Sequence, residues 1–136
     1  MSNWFKGWTF DLAFDLGAAT IRVCQGETII VNQPAVAAVT ERRRTRSRKL
    51  HAVGQSAHAL SGKTGPEISV VALQNAGVIE DATLLTDVLK QMLADAGLTR
   101  LSRARAALVL PTAIGGVHAR LMRDVIRQVG LRDVLL

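Results

Sequence analysis

Apolar and polar positions in the first third of the chain follow a period of two, cut by turn residues. FDLAFDLG, TIRVCQG and ETIIV, from residue 10 to 31, predict three short strands joined by tight turns at Gly17 and Gly26. Asn32, Gln33 and Pro34 are expected to break the meander, and AVAAV at 35–39 resumes an extended run. Leu50 to Val53 predicts another strand, Gln55 to Leu60 one or two helical turns, SGKTGPE at 61–67 a loop, and ISVVAL at 68–73 a further strand. From Thr83 the period changes. Leu84, Leu85, Val88, Leu89, Met92, Leu93 and Ala96 recur one turn apart, Asp81 or Thr83 is placed to cap the first amides, and Gly97 stands at the stop. Ala106 to Leu110 is a short continuous apolar run ending at Pro111, suited to a strand covered on both faces. Val117, Leu121, Val125 and Val129, with Met122 and Ile126, predict a second amphipathic helix closed by Gly130, and VLL at 134–136 begins a last strand.

Hairpins first and right-handed crossovers later make an α/β fold: a mixed five-stranded sheet with both helices on one face. The expected divisions are an N-terminal segment at 1–9, a core from 10–31 and 78–136, and a small inserted subdomain at 32–77.

Composition adds bounds to this picture. A chain of 136 residues that is 49% hydrophobic has the size of one domain with a real core. The single cysteine, Cys24, cannot form an internal disulfide, which points to a reducing compartment and the cytoplasm. The start MSNWFKGWTFDLAFDLG has no uninterrupted apolar stretch, which argues against a signal peptide. The run from Ala106 to Val117 falls short of the roughly 20 residues of a spanning helix. The net charge of +6 is local: Arg42, Arg43, Arg44, Arg46, Arg48 and Lys49 supply six of seventeen basic residues, and eleven remain against eleven acids.

Candidate chemistry is sparse. SGKTG lacks the first glycine of a phosphate-binding P-loop, since position 57 is Ala57, and reads as a plain loop. His51, His58 and Cys24 have no metal-ligand spacing. Trp4, Phe5 and Trp8 lie within five residues of one another; on a short helix Trp4 and Trp8 share a face that suits the headgroup level of a bilayer, and on a strand edge they would pack on the sheet. A segment so short needs a second attachment or assembly for stable residence. The RRRTRSRK block is open to three readings: a solvated hairpin tip, a contact for anionic lipid, or a contact for acidic protein or nucleic acid. Nucleic acid is disfavoured because the block has no aromatic residues and the remaining chain is charge-balanced.

AFDLG, IIVNQPAVAAV, HAVGQSAHALSGKTGPE, GVIEDATLLTDVLKQML and LVLPTAIGGVHARLMRDVIRQVG, in this order, resemble the N-terminal half of the bacterial actin-like MreB family. The resemblance covers residues 4 to 136. It implies an actin-like (RNase H-like) half-domain with a small inserted subdomain, in a family of ATP-binding, filament-forming cytoskeletal proteins that lie under the inner membrane and organise cell-wall synthesis and rod shape. It also supports a membrane role for the N-terminal aromatic segment.

By the same resemblance, Asp15 would hold Mg2+ through water, and Gly17, Ala18 and Thr20 would form the phosphate hairpin. The family carries threonine and asparagine there, whereas this chain has Ala18 and Ala19, so phosphate donors are depleted. The family's threonine, aspartate and water-positioning glutamate at the later helix correspond to Gly115, Gly116 and His118. ATP and Mg2+ are therefore expected only if a partner completes the site, and Asp15 and Gly17 have the alternative of serving a tight hairpin. In the family a helix from beyond residue 136 covers the second face of the sheet, so an apolar face is expected to meet water in this chain. The expected partners are a second copy, a full-length relative or an envelope protein, with the inner-membrane surface a further candidate. The expected function is a truncated, membrane-proximal scaffold linked to cell shape that is not an autonomous ATPase; the alternatives are half of a split ATPase completed in trans and, less favoured, a basic nucleic-acid-binding module.

Overall fold

The computed structural model describes residues 11–135 apart from 43, 46, 100, 102, 103, 111 and 112. The strands β1 (Leu12–Leu16), β2 (Thr20–Gln25) and β3 (Thr28–Pro34) form the expected antiparallel meander. β4 (Val36–Arg42), β5 (Ser47–Val53), the short helix α1 (Gly54–His58) and β6 (Ile68–Ala72) follow, with β4 central in a separate three-stranded sheet. A two-stranded hairpin, β7 (Gln74–Asn75) and β8 (Val78–Ile79), leads into α2 (Ala82–Asp95). Then come β9 (Arg105–Val109), α3 (Gly116–Val129) and β10 (Asp133–Leu135).

The main sheet has five strands in the order β10-β9-β1-β2-β3, parallel among β10, β9 and β1 and antiparallel beyond. Both parallel connections step the same way along the sheet, so right-handed crossovers put α2 and α3 on one face. Leu12, Phe14, Leu16, Ile21, Val23, Val31, Ala106 and Leu108 point to that face and are buried. They join Leu84, Leu85, Val88, Leu89, Met92 and Leu93 of α2 and Met122, Val125, Ile126 and Val129 of α3 in one core.

Three local expectations are corrected. β3 runs through Asn32, Gln33 and Pro34, paired with Arg22, Ile21 and Thr20. It is an edge strand, where a proline's missing N–H costs no ladder bond. Val117, expected on the apolar face of α3, is 80% exposed. Residues four apart drift by about 40° per step on a helix of 3.6 residues per turn, so the buried stripe becomes Met122, Val125, Ile126 and Val129. The helix-free face of the sheet is also less apolar than expected. Ala13, Cys24, Ile29, Ala107 and Val109 share it with Asp15, Arg22, Asn32 and Arg105, because alternation sends most large apolar residues of these strands inward.

α2 begins at Asp81, whose Oδ1 accepts from the Leu84 amide at 2.9 Å. It ends with Gly97 N–H donating to the Ala94 carbonyl (2.9 Å) and Leu98 N–H to Leu93 (2.8 Å), the paired closure that a glycine beyond the last turn permits. Asp81 also receives Arg48 of β5 at 3.4 Å, tying the small sheet to α2. Asp81→Ala is expected to cost about 1 kcal/mol, chiefly from the lost cap, because the partly exposed ion pair adds little. Urea unfolding of Asp81→Ala beside Asp81→Asn separates the two: asparagine retains the cap and should recover most of the loss.

Candidate functional site

The turn from β1 to β2 is closed by Gly17 N–H donating to the Thr20 carbonyl at 3.0 Å. A Cβ at position 17 would lie 2.8 Å from that carbonyl oxygen, a contact real side chains do not make. Geometry of the turn alone therefore requires glycine. Across a cleft of about 360 Å³ the turn faces the β7–β8 hairpin and the start of α3. Gly17 and Ala18 line it, together with Ala76, Gly77, Ile114, Gly115 and His118.

Of the expected hairpin residues, Gly17 and Ala18 thus reach the cleft. Thr20 is half-buried at the start of β2, and Asp15 is exposed on the helix-free face, opposite Arg22 of β2 and Val109 of β9. α3 starts at Gly115 with no side-chain cap and no acidic residue in its first turn. His118 is half-buried against the cleft.

Gln74 is the side chain that sequence reasoning missed. It is 6% exposed, and its Nε2 donates to the Leu16 carbonyl at 2.9 Å, 58 residues away. This bond holds the β7–β8 hairpin against the end of β1. The hairpin turns through Ala76 and Gly77, both at positive φ (49° and 79°). Asn-Ala-Gly before Val78 is the local cue for a turn; nothing local signals the Leu16 contact. Gln74→Ala is expected to cost about 1–3 kcal/mol by leaving a buried carbonyl unpaired, measured as a lower midpoint in urea with an unchanged slope.

The described lining offers two polar side chains, Gln74 and His118, and the Gln74 amide is already engaged. It supplies no cation for a phosphate and no carboxylate for a divalent ion. The described lining of this cleft does not fit ATP and Mg2+. Among the described residues no group of three His, Cys, Asp or Glu could hold a metal, and no helix is long and apolar enough to cross a membrane.

The basic block forms the tip of the β4–β5 hairpin. Arg42, Arg44, Arg48 and Lys49 are exposed, and Arg48 is held by Glu41 (3.3 Å) and Asp81 (3.4 Å). Arg43, Arg46, Trp4, Phe5 and Trp8 lie outside the described residues. His51 Nε2 meets Thr40 Oγ1, His58 is exposed on α1, and Cys24 is half-buried in β2.

A meander running into parallel crossover strands, helices on one face, an inserted small sheet, and a glycine hairpin set across a cleft from a helix start define an actin-like α/β half-domain. The chain belongs to the MreB/Mbl family, whose model matches residues 9–136 under the description MreB/Mbl protein. It is 28% identical over 136 residues to the cell shape-determining protein MreB of Escherichia coli K12, covering 97% of this chain and 39% of that one. It is 28% identical to the cell shape-determining protein Mbl of Bacillus subtilis 168, covering 93% and 37%. The crystal structure of MreB5 of Spiroplasma citri bound to AMPPNP superposes with a TM-score of 0.77 at 25% identity, covering 91% of this chain and 37% of that one. The chain thus spans about two fifths of the length of these relatives.

Proposed function

We propose that these residues act as an MreB-like scaffold module in the cytoplasm, close to the inner membrane, which self-associates or docks onto a full-length actin-like relative or an envelope protein and serves cell shape or envelope organisation. The observation that carries this is the helix-free face of the five-stranded sheet. It presents Val109 at 58% exposure beside Ala13, Cys24 and Ala107, with Asp15, Arg22 and Asn32 as polar groups a partner must match. Apolar burial is worth about 25 cal/mol per Å², so covering this strip favours association, while its polar positions select the partner.

The module does not hydrolyse ATP by itself. Support comes from the lining of the cleft, where alanines and glycines stand in place of hydroxyls, carboxylates and cations. Sedimentation of the purified chain, with ATP titrated by calorimetry, tests both parts. Assemblies heavier than one chain and no micromolar ATP binding are expected. A well-folded monomer that ignores lipid and every companion would overturn the scaffold role.

A second reading, half of an actin-like ATPase completed in trans, is favoured by the tight Gly17 turn facing the start of α3 across the cleft. ATPase activity that appears only on mixing with a full-length relative would establish it.

A further inference from the structure

The small sheet does not end evenly. β6 pairs with β4 from Val36 to Thr40 and stops, whereas β5 continues alongside β4 for two further rungs, Glu41 with Arg48 and Arg42 with Ser47. The end of the hairpin is therefore a two-stranded ribbon standing beyond the sheet. It is closed by Thr45 N–H donating to the Arg42 carbonyl at 3.2 Å and by the Thr45 and Ser47 hydroxyls at 2.6 Å.

Alternation sorts its charges. Glu41 and Arg48 are opposite each other and share one face, where Arg48 is bonded to Glu41 and Asp81. Arg42 and Lys49 take the other face, two residues apart along the ribbon, and Arg44 sits in the turn. All three are exposed. The described carboxylates grouped with this end are Glu41 and Asp81, both bonded by Arg48, Glu67, which lines a groove with Thr40 and Glu41, and Glu80, which lines a pocket with Arg48 and Asp81. Against them stand Arg42, Arg44 and Lys49, with Arg43 and Arg46 between them in the sequence.

We infer, resting on the membrane-proximal placement proposed above, that the free face and turn of this ribbon form a docking surface for anionic lipid headgroups. Arg42 and Lys49 share one face of the ribbon and Arg44 stands in the adjoining turn, so they present their charge together to a diffuse negative surface. A fluid leaflet needs no fixed partner geometry, which suits long exposed side chains on a projecting tip. A duplex needs phosphate contacts along its length and a single strand aromatic stacking, and with six cations set aside the chain is charge-balanced.

Flotation with phosphatidylcholine vesicles, with and without phosphatidylglycerol, tests this on the full chain. Binding is expected only with phosphatidylglycerol and should fall as salt is raised. The combined Arg42→Ser, Arg44→Ser and Lys49→Ser variant should bind roughly a hundredfold more weakly, about fivefold per cation. Its circular dichroism and its sedimentation should stay as in the parent chain. Trp4→Ser with Trp8→Ser should leave the dependence on phosphatidylglycerol and salt in place.

Equal binding to neutral vesicles, binding insensitive to salt, or a triple variant that floats like its parent overturns the assignment. So does double-stranded DNA that binds tighter than the vesicles and is lost in the same variant. The salt series on the parent chain decides the matter even if the variant misfolds. Assemblies that persist while lipid binding fails would overturn the hairpin assignment alone, and a parent chain that is monomeric yet binds anionic vesicles would overturn self-association alone.

Discussion

Phe14→Ala is expected to lower the unfolding free energy by about 3–5 kcal/mol, a larger loss than any turn or surface substitution in this chain should cause. Phe14 lies on β1, the middle strand of the five, and is fully buried. Its ring sits among Leu12, Leu16, Ile21 and Val23 under the apolar stripes of α2 and α3. Truncation removes the apolar transfer energy and leaves a cavity between two elements already held apart by their other side chains, so collapse to fill it is limited. Domains of this size are stable by about 5–15 kcal/mol, so the loss takes about a fifth or more of the total. Urea unfolding should show a lower midpoint at an unchanged slope. Phe14→Leu, which keeps most of the volume, should recover more than half. An alanine variant as stable as its parent would mean that the sheet and the two helices do not pack as described.

Gly54→Ala is the second large effect, expected at about 2–3 kcal/mol. Gly54 joins β5 to α1 at φ +58°, and a Cβ there would lie 2.5 Å from Gln33 Oε1 and 2.9 Å from Gln33 Cβ. Gln33 Oε1 accepts the Gln55 amide at 2.8 Å, which gives α1 the cap that Val53 cannot supply. The alanine must therefore strain the backbone and also displace the residue by which β3 grips the start of α1. The two costs are separable. In a Gln33→Gly background both collisions disappear, and Gly54→Ala should then cost only about 1–2 kcal/mol of left-handed strain. Equal costs in both backgrounds would show that Gln33 plays no part.

Much of this architecture is legible from local pattern. α2 and α3 follow from apolar residues one turn apart, and the β1–β3 meander from alternation cut at Gly17 and Gly26, because both signals lie within one element. The ordered run of segments from AFDLG to the helix ending at Gly130 carried the family, and the family model confirms it over residues 9–136. The candidate site was legible only in part. Gly17 and Ala18 do line a cleft, but Asp15 projects from the helix-free face, and the bond from Gln74 to Leu16 spans 58 residues. Two residues between Leu73 and a turn have no periodicity to read.

The amino-acid sequence by itself determined which side of each strand and helix is apolar, where the elements stop, and that the basic charge is concentrated in one block. Tertiary structure alone decided what those sides meet: that Val117 lies past the reach of the core, that Arg48 is drawn back to Asp81 while Arg42 and Lys49 stay exposed, and that the helix-free face mixes apolar with charged residues. The division has one cause. Periodicity is set by backbone geometry within a few residues, whereas the partner of a face is chosen by which distant segments the sheet order brings beside it.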